Sequence, residues 1–292
     1  MPNKALTGIL SLILTVTYCA PATARTLLQN KGSDTMVHAV QSWSEAYHKV
    51  DPQIGIVVNA GGSGTGIAAL INGAVDIANA SRAMTKEEIA RARQRGQDPV
   101  QHLVGYDAVA VYVHSSNPIR SLSFAQLAEI YGEGGSIELW TDLGIEVSGC
   151  KDQKIVRVGR QSSSGTYVYF RRAVMGSTRD YKLGTRSTMA SRHVVDLVSQ
   201  TPCAIGYSSF AYSRPTANTV CLLESEDEPC VAPSASTIQQ RNYPMTRPLY
   251  LYTNGQPEGV IREYVEWVLG DDGQCILPNK GYGPVRALDC GS

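Results

Sequence analysis

Three times along this chain a turn rich in serine and glycine opens an apolar run at helical spacing, and twice a β-rich segment leads straight into it. This arrangement constrains the fold more than any other feature. "KGSDTM" (31–36) opens "VHAVQSWSEAYHKV", in which Val37, Val40, Trp43 and Tyr47 recur with a helical period. "IGIVVNA" (54–60) runs into "GGSGTG", and an apolar segment starts at Ile67. "KIVRVGR" (154–160) runs into "QSSSGT" and then into the helix-like "YVYFRRAVMG" (167–176). Elsewhere "VDIANA" (75–80), "DAVAVYVH" (107–114), "CAIGYSSF" (203–210) and "RPLYLYTNG" (247–255) read as strands. They alternate with helix-like "EEIARARQRG" (87–96), "SFAQLAEIYG" (123–132), "ASRHVVDLVSQ" (190–200) and "GVIREYVEWVLG" (259–270). Alternating strands and helices predict an α/β fold.

The three turns share one chemistry. The first turn of a helix carries unpaired N–H groups and the positive end of the helix dipole. Glycine lets backbone approach a ligand closely, and serine and threonine add hydroxyl donors. Together they form an anion site that needs no buried lysine. Arg160, four residues before Ser164, can reach the same point with a planar guanidinium. Any single turn of this kind is also an ordinary helix cap. The nucleotide motifs do not fit: Ile67 stands where a Walker loop needs lysine and where a dinucleotide loop needs its third glycine. Thr65 stands where a hydrolase elbow around Ser63 needs glycine, and the serine run at 162–164 also lacks that pattern.

The N-terminus reads as an export signal over residues 1–24: Lys4, an apolar run from Leu6 to Val16, and a small-x-small site at Ala22–Ala24. That run is too short to span a bilayer. Cys19 raises a lipoprotein reading, but Tyr18 before it is too large for a lipid-attachment signal. Cleavage would remove Lys4 and no acid, leaving 25 basic and 26 acidic residues. With no basic excess to follow a phosphodiester backbone, no nucleic-acid partner is expected. An even set of cysteines in an exported chain suggests disulfides, among Cys150, Cys203, Cys221, Cys230, Cys275 and Cys290. The preferred pairing is Cys221–Cys230 around an acidic loop, Cys275–Cys290 at the tail and Cys150–Cys203, out of the fifteen that six cysteines permit. Neither these cysteines nor the five histidines have metal-ligand spacing, and no metal or cofactor is expected.

"KGSDTM", "GGSGTGIAALINGAVDIANASRAM", "DAVAVYVHSSNPIRSLSFAQLAEIYG", "GRQSSSGTYVYF" and "AIGYSSFAY" follow one another in this order. The chain resembles the phosphate-binding proteins of bacterial phosphate ABC importers, in the type II periplasmic-binding-protein superfamily, over about residues 29–212. The resemblance implies a two-lobe α/β fold with an anion in the cleft. One lobe would be 26–107 plus 212–292 and the other 108–211. It implies a monomeric, non-enzymatic protein, periplasmic or secreted, that hands phosphate to an ABC permease in the inner membrane. By motif it assigns Ser33, Asp34, Thr35, Ser63, Gly64, Ser81, Arg160, Ser164, Gly165 and Thr166 to the ligand. Members of the family follow the serine of "NASRAM" with an aspartate that accepts the proton of hydrogen phosphate. Here Ser81 is followed by Arg82, a further candidate ligand that can donate but not accept. Asp34 is then the candidate acceptor, with a helix N-cap as its alternative role. Three other readings stay open: a site for another oxyanion such as sulfate, a phosphoester hydrolase using one of the serines, and a scaffold of this fold that has lost its ligand.

Overall fold

The computed structural model describes residues 25–176, 178–225 and 228–290. The expected signal peptide and Cys19 lie outside the described residues. Three parallel strands, β1 (Thr26–Gly32), β2 (Ile54–Ala60) and β3 (Ile77–Ala80), stand in the order β2-β1-β3. Helix α1 (Val37–Val50) follows β1, α2 (Ser63–Ile71) follows β2 and α3 (Lys86–Gln94) follows β3. Thr85 caps α3 through a reciprocal pair with Glu88. α1 turns Ala39, Val40, Trp43 and Tyr47 into the core, the face its periodicity predicts.

β4 (Pro99–His114) is the long strand that joins the two halves of the sheet. From Asp107 to Val113 it is buried on both faces, and such a strand reads as a continuous apolar run. Its first half, 99–106, carries half-exposed positions and no such run, so the strand begins well before the stretch legible in the sequence. β5 (Ser121–Ser123) leads into α4 (Phe124–Tyr131), boxed by Ser123 and Gln126. Next come β6 (Val156–Arg160) and α5 (Gly165–Phe170), which widens into a π turn over Arg171–Met175. β7 (Arg186–Thr188), α6 (Ser191–Ser199), β8 (Ala204–Ser209), β9 (Ala217–Leu223) and α7 (Ala235–Gln239) follow. The chain then returns along β10 (Thr246–Asn254) to α8 (Gly259–Leu269) and α9 (Asp271–Cys275).

The strand order is β2-β1-β3-β10-β4-β8-β6-β7. β10 pairs antiparallel with β3 and with the first half of β4; β8 and β9 pair with its second half. The buried apolar residues divide in the same way. Leu28, Trp43, Ile77, Leu249 and Val268 pack on one half of the sheet. Val111, Leu127, Trp140, Phe170 and Ile205 pack on the other. The segment after residue 212, expected with the first half, divides. β9 pairs with β4 and β5, and Ile238, Tyr243 and Met245 join the second core, because the chain regains the first half only along β10. The cysteines pair as 150–203, 221–230 and 275–290, the preferred scheme. Among the described residues no helix is long and apolar enough to cross a membrane.

Candidate functional site

The loops that follow β1, β2, β3 and β6 meet in the middle of the molecule, beside β4 and β10. Gly62, at φ +107, lets the chain leave β2 and start α2 directly with Ser63. Ser33, Ser63 and Ser81 are all buried and in contact: Ser33 Oγ donates to Ser81 Oγ at 3.0 Å, and Ser63 Oγ lies 3.3 Å from Ser81 Oγ. Ser63 Oγ also accepts the Ser81 N–H at 3.0 Å. Gly165, at the first turn of α5, packs directly on this serine cluster; a Cβ there would overlap the hydroxyls of Ser63 and Ser81. Ser164 caps its own helix, accepting the Thr166 N–H at 3.2 Å. The Gly64 N–H donates to Ser163 O at 2.9 Å, which ties the two loops together.

A second cluster adjoins the first. The Thr35 and Thr166 hydroxyls stand 2.9 Å apart, and Arg247 Nη2 donates to both, at 3.1 and 2.9 Å. Arg247, at the start of β10, also holds Asp107 on β4 through Nε (3.0 Å) and Nη2 (2.8 Å). Ser209 Oγ donates to the same carboxylate. Burial pushes the Asp107 carboxyl up, and the Arg247 charge, the Ser209 hydroxyl and the Ala108 N–H oppose it.

The third cluster pairs Arg160 with Asp34, Nη2 to Oδ2 at 3.2 Å. Arg160 Nη1 donates to Ser191 Oγ at 2.6 Å, and the Ser191 N–H donates to Asp34 Oδ2 at 2.5 Å. Burial pulls the Arg160 guanidinium down from its ordinary value, and Asp34 opposes that shift. Asp34 does not cap the helix of its own segment; its carboxylate instead takes the first N–H of α6, its backbone carbonyl accepts the Tyr212 hydroxyl at 2.7 Å, and the Tyr282 hydroxyl donates to Thr35 O. The loop after β1 is therefore held by tyrosines from distant parts of the chain. Each of the two central cations thus already faces a carboxylate, yet the buried Arg160 Nε and Arg247 Nη1 have no partner and remain as donors beside the hydroxyls and backbone N–H groups.

Ser33, Asp34, Thr35, Ser63, Ser81, Arg160, Ser164, Gly165 and Thr166 gather in this region, with Gly64 at its edge. Arg82 does not join them. It turns to Glu88, with Nη2–Oε1 at 2.7 Å and Nη1–Oε2 at 2.8 Å, because the first turn of α3 presents that carboxylate to it. Sequence reading missed three participants. Ser191 carried the same signature as the others, a serine at a helix start. Arg247 and Asp107 carried no local signal at all. The one group of three potential metal ligands among the described residues is Cys150, Asp152 and Cys203, whose two sulfurs are joined in a disulfide.

The mixed sheet thus carries a seam of buried polar side chains where its central strands meet the four loops. The sequence matches the family model described as the PBP superfamily domain over residues 20–272. It is 31% identical over 271 residues to the phosphate-binding protein PstS of Pseudomonas aeruginosa, covering 89% of this chain and 83% of that one. With PstS of Bacillus subtilis it shares 30% over 258 residues, covering 88% and 80%. A protein from Clostridium perfringens, described as a phosphate ABC transporter substrate-binding protein and solved with bound phosphate, superposes with a TM-score of 0.77 at 25% identity. That match covers 89% of this chain and 100% of the other. The chain belongs to the PBP superfamily and, within it, to the PstS family of phosphate-binding proteins.

Proposed function

We propose that this chain is an exported solute-binding protein that captures inorganic phosphate between two lobes and delivers it to an ABC permease. The observation that carries the reading is the set of buried hydroxyls at Ser33, Thr35, Ser63, Ser81, Ser164 and Thr166, brought together from separate loops. Isolated buried hydroxyls are costly, and a cluster of them beside paired arginines suits an anion better than an apolar solute. The lobes are 26–107 with 246–292, and 108–245, joined through β4 and β10. The open form admits phosphate; the hydroxyls and N–H groups replace its water; the lobes then close about the crossing strands. Ligand capture fits the site better than turnover. Among the described residues none of these serine hydroxyls bonds a histidine, so no nucleophile–base pair is set up.

Titration calorimetry of the desalted mature protein tests this directly. Heat with phosphate is expected, and no heat with either phosphate or sulfate overturns the reading. Asp34 supplies the discrimination in this scheme. Oδ2 is taken by Ser191 and Arg160, which leaves Oδ1 for the proton of hydrogen phosphate. Asp34→Asn removes the negative charge opposite Arg160 while keeping the shape. The ratio of phosphate to sulfate affinity should fall about tenfold, the worth of one charge-assisted hydrogen bond. Equal weakening of both anions would remove Asp34 from the selection.

A further inference from the structure

Ser191 opens α6, and three of its groups are committed to other parts of the chain. Its N–H donates to Asp34 Oδ2 at 2.5 Å, its Oγ accepts Arg160 Nη1 at 2.6 Å, and its carbonyl accepts the Ser208 hydroxyl at 3.0 Å. The residue is fully buried. We propose that Ser191 is a positioning residue for anion selection: through one N–H and one hydroxyl it determines which atoms of Asp34 and Arg160 are left to face the ligand. This rests on the reading of the hydroxyl cluster as a phosphate site with Asp34 as its acceptor.

Arg160 is held by its two terminal nitrogens. Nη1 goes to Ser191 Oγ, and Nη2 goes to Met189 O at 2.8 Å with Asp34 Oδ2 3.2 Å away. The buried Nε has no protein partner and is the donor that remains. A guanidinium is planar, so fixing two of its corners aims the third. Without the Ser191 hydroxyl one corner is released, and the long side chain regains rotamers that compete with the binding one. Asp34 is held at the same turn. α6 starts without a side-chain cap, because Ala190 precedes it in extended backbone (φ −117, ψ 148) and offers no acceptor. The first N–H groups of a helix need acceptors. A carboxylate 157 residues away in the chain supplies one, at the positive end of the helix dipole. Oδ2 is consumed by this contact and Oδ1 stays free for the proton of hydrogen phosphate. Sulfate carries no such proton, so the Asp34 contact counts for phosphate alone, whereas Arg160 Nε serves both anions. Asp34 follows β1 and Ser191 precedes β8, so the two come from opposite halves of the sheet. In the proposed mechanism the acceptor is therefore set in place as the lobes close.

The test uses the desalted mature protein, with phosphate titrated calorimetrically and sulfate measured by its competition with phosphate. Ser191→Ala removes the hydroxyl and keeps the N–H. Both affinities should fall about tenfold, the effect of one charged hydrogen bond, with their ratio within about twofold of the parent's. Ser191→Pro removes the N–H as well. Proline suits the first position of a helix, and Ala190 already has the extended backbone that a residue before proline adopts. Compared with Ser191→Ala, it should lose about a further tenfold for phosphate and about twofold or less for sulfate. In an Asp34→Asn background that extra loss for phosphate should vanish, since the N–H acts through the carboxylate. Ser191→Thr keeps both groups and should bind both anions nearly as the parent does. Parent-like affinities in Ser191→Ala, or an equal further loss for both anions in Ser191→Pro, overturn the inference, while phosphate binding by the parent leaves the phosphate reading standing. A Ser191→Thr variant that melts like the parent but binds like Ser191→Ala also overturns it. If the parent fails to bind phosphate, both readings fall.

Discussion

Gly165→Ala is expected to weaken phosphate binding about ten- to a hundredfold while leaving the unliganded protein folded. Gly165 opens α5 and lies against Ser63 and Ser81, so an added methyl would overlap both hydroxyls. Those serines cannot retreat: both are fully buried, and Ser63 Oγ is fixed by the Ser81 N–H. Alanine is a better helix former than glycine, so the change costs nothing within α5. The overpacking, about 1–3 kcal/mol, falls on the approach of α5 to the loops after β2 and β3. In the proposed mechanism that approach is lobe closure, and the penalty converts into the stated loss of affinity. Gly64→Ala is the internal control, since its methyl would lie 3.2 Å from Ser163 O and needs only a small adjustment. Calorimetry reads the affinities. Thermal melting should show an unliganded midpoint near that of the parent and a phosphate-induced rise that shrinks in Gly165→Ala far more than in Gly64→Ala. An unchanged affinity in Gly165→Ala would mean that ligand is held without this contact.

What the sequence made legible follows from how local each signal is. The helix starts at 33–37, 63–67 and 164–166 declare themselves because the serine, the glycine and the apolar period are neighbours in the chain. The buried half of β4 is legible from its apolar run, while residues 99–106, partly exposed and paired with β10 and, at Tyr106, with Gly283, are not. Arg82 shows the limit of a motif: its position places it after Ser81, but Glu88 decides where its guanidinium goes. The Asp107–Arg247 pair is the extreme case. Its members are 140 residues apart, Thr35 and Arg247 are 212 apart, and no local pattern marks a contact made by chain return. The packing of β9 and residues 238–245 on the second core depends on the same return, which no local pattern around residue 212 announces.

That pair yields the largest expected change in stability. Arg247→Met keeps much of the side-chain volume and leaves Asp107, 0% exposed, without its cation. Breaking a buried pair in this way costs about 3–5 kcal/mol, or a fall in midpoint on the order of 10 °C for a chain of this size. The pH dependence separates this cause from simple loss of packing. Burial already pushes the Asp107 carboxyl up, and Arg247 is the foremost of the groups opposing it. Without Arg247 the folded-state value lies further above the unfolded value of about 3.9, so folding takes up a proton. The electrostatic penalty is then complete above the raised folded value and vanishes as the pH falls toward the unfolded one. Lowering the pH from about 7 to about 5 should therefore narrow the gap in midpoint between variant and parent. Adding Asp107→Asn should recover much of the loss at neutral pH, because an amide carries no charge to strand. A gap that stays constant with pH, and persists in the double variant, would locate the cost in packing. In the double variant Thr35 and Thr166 still lack the Nη2 donor that aligns their hydroxyls. Its phosphate affinity should stay low even where its stability recovers, separating the part Arg247 plays in the fold from the part it plays at the ligand.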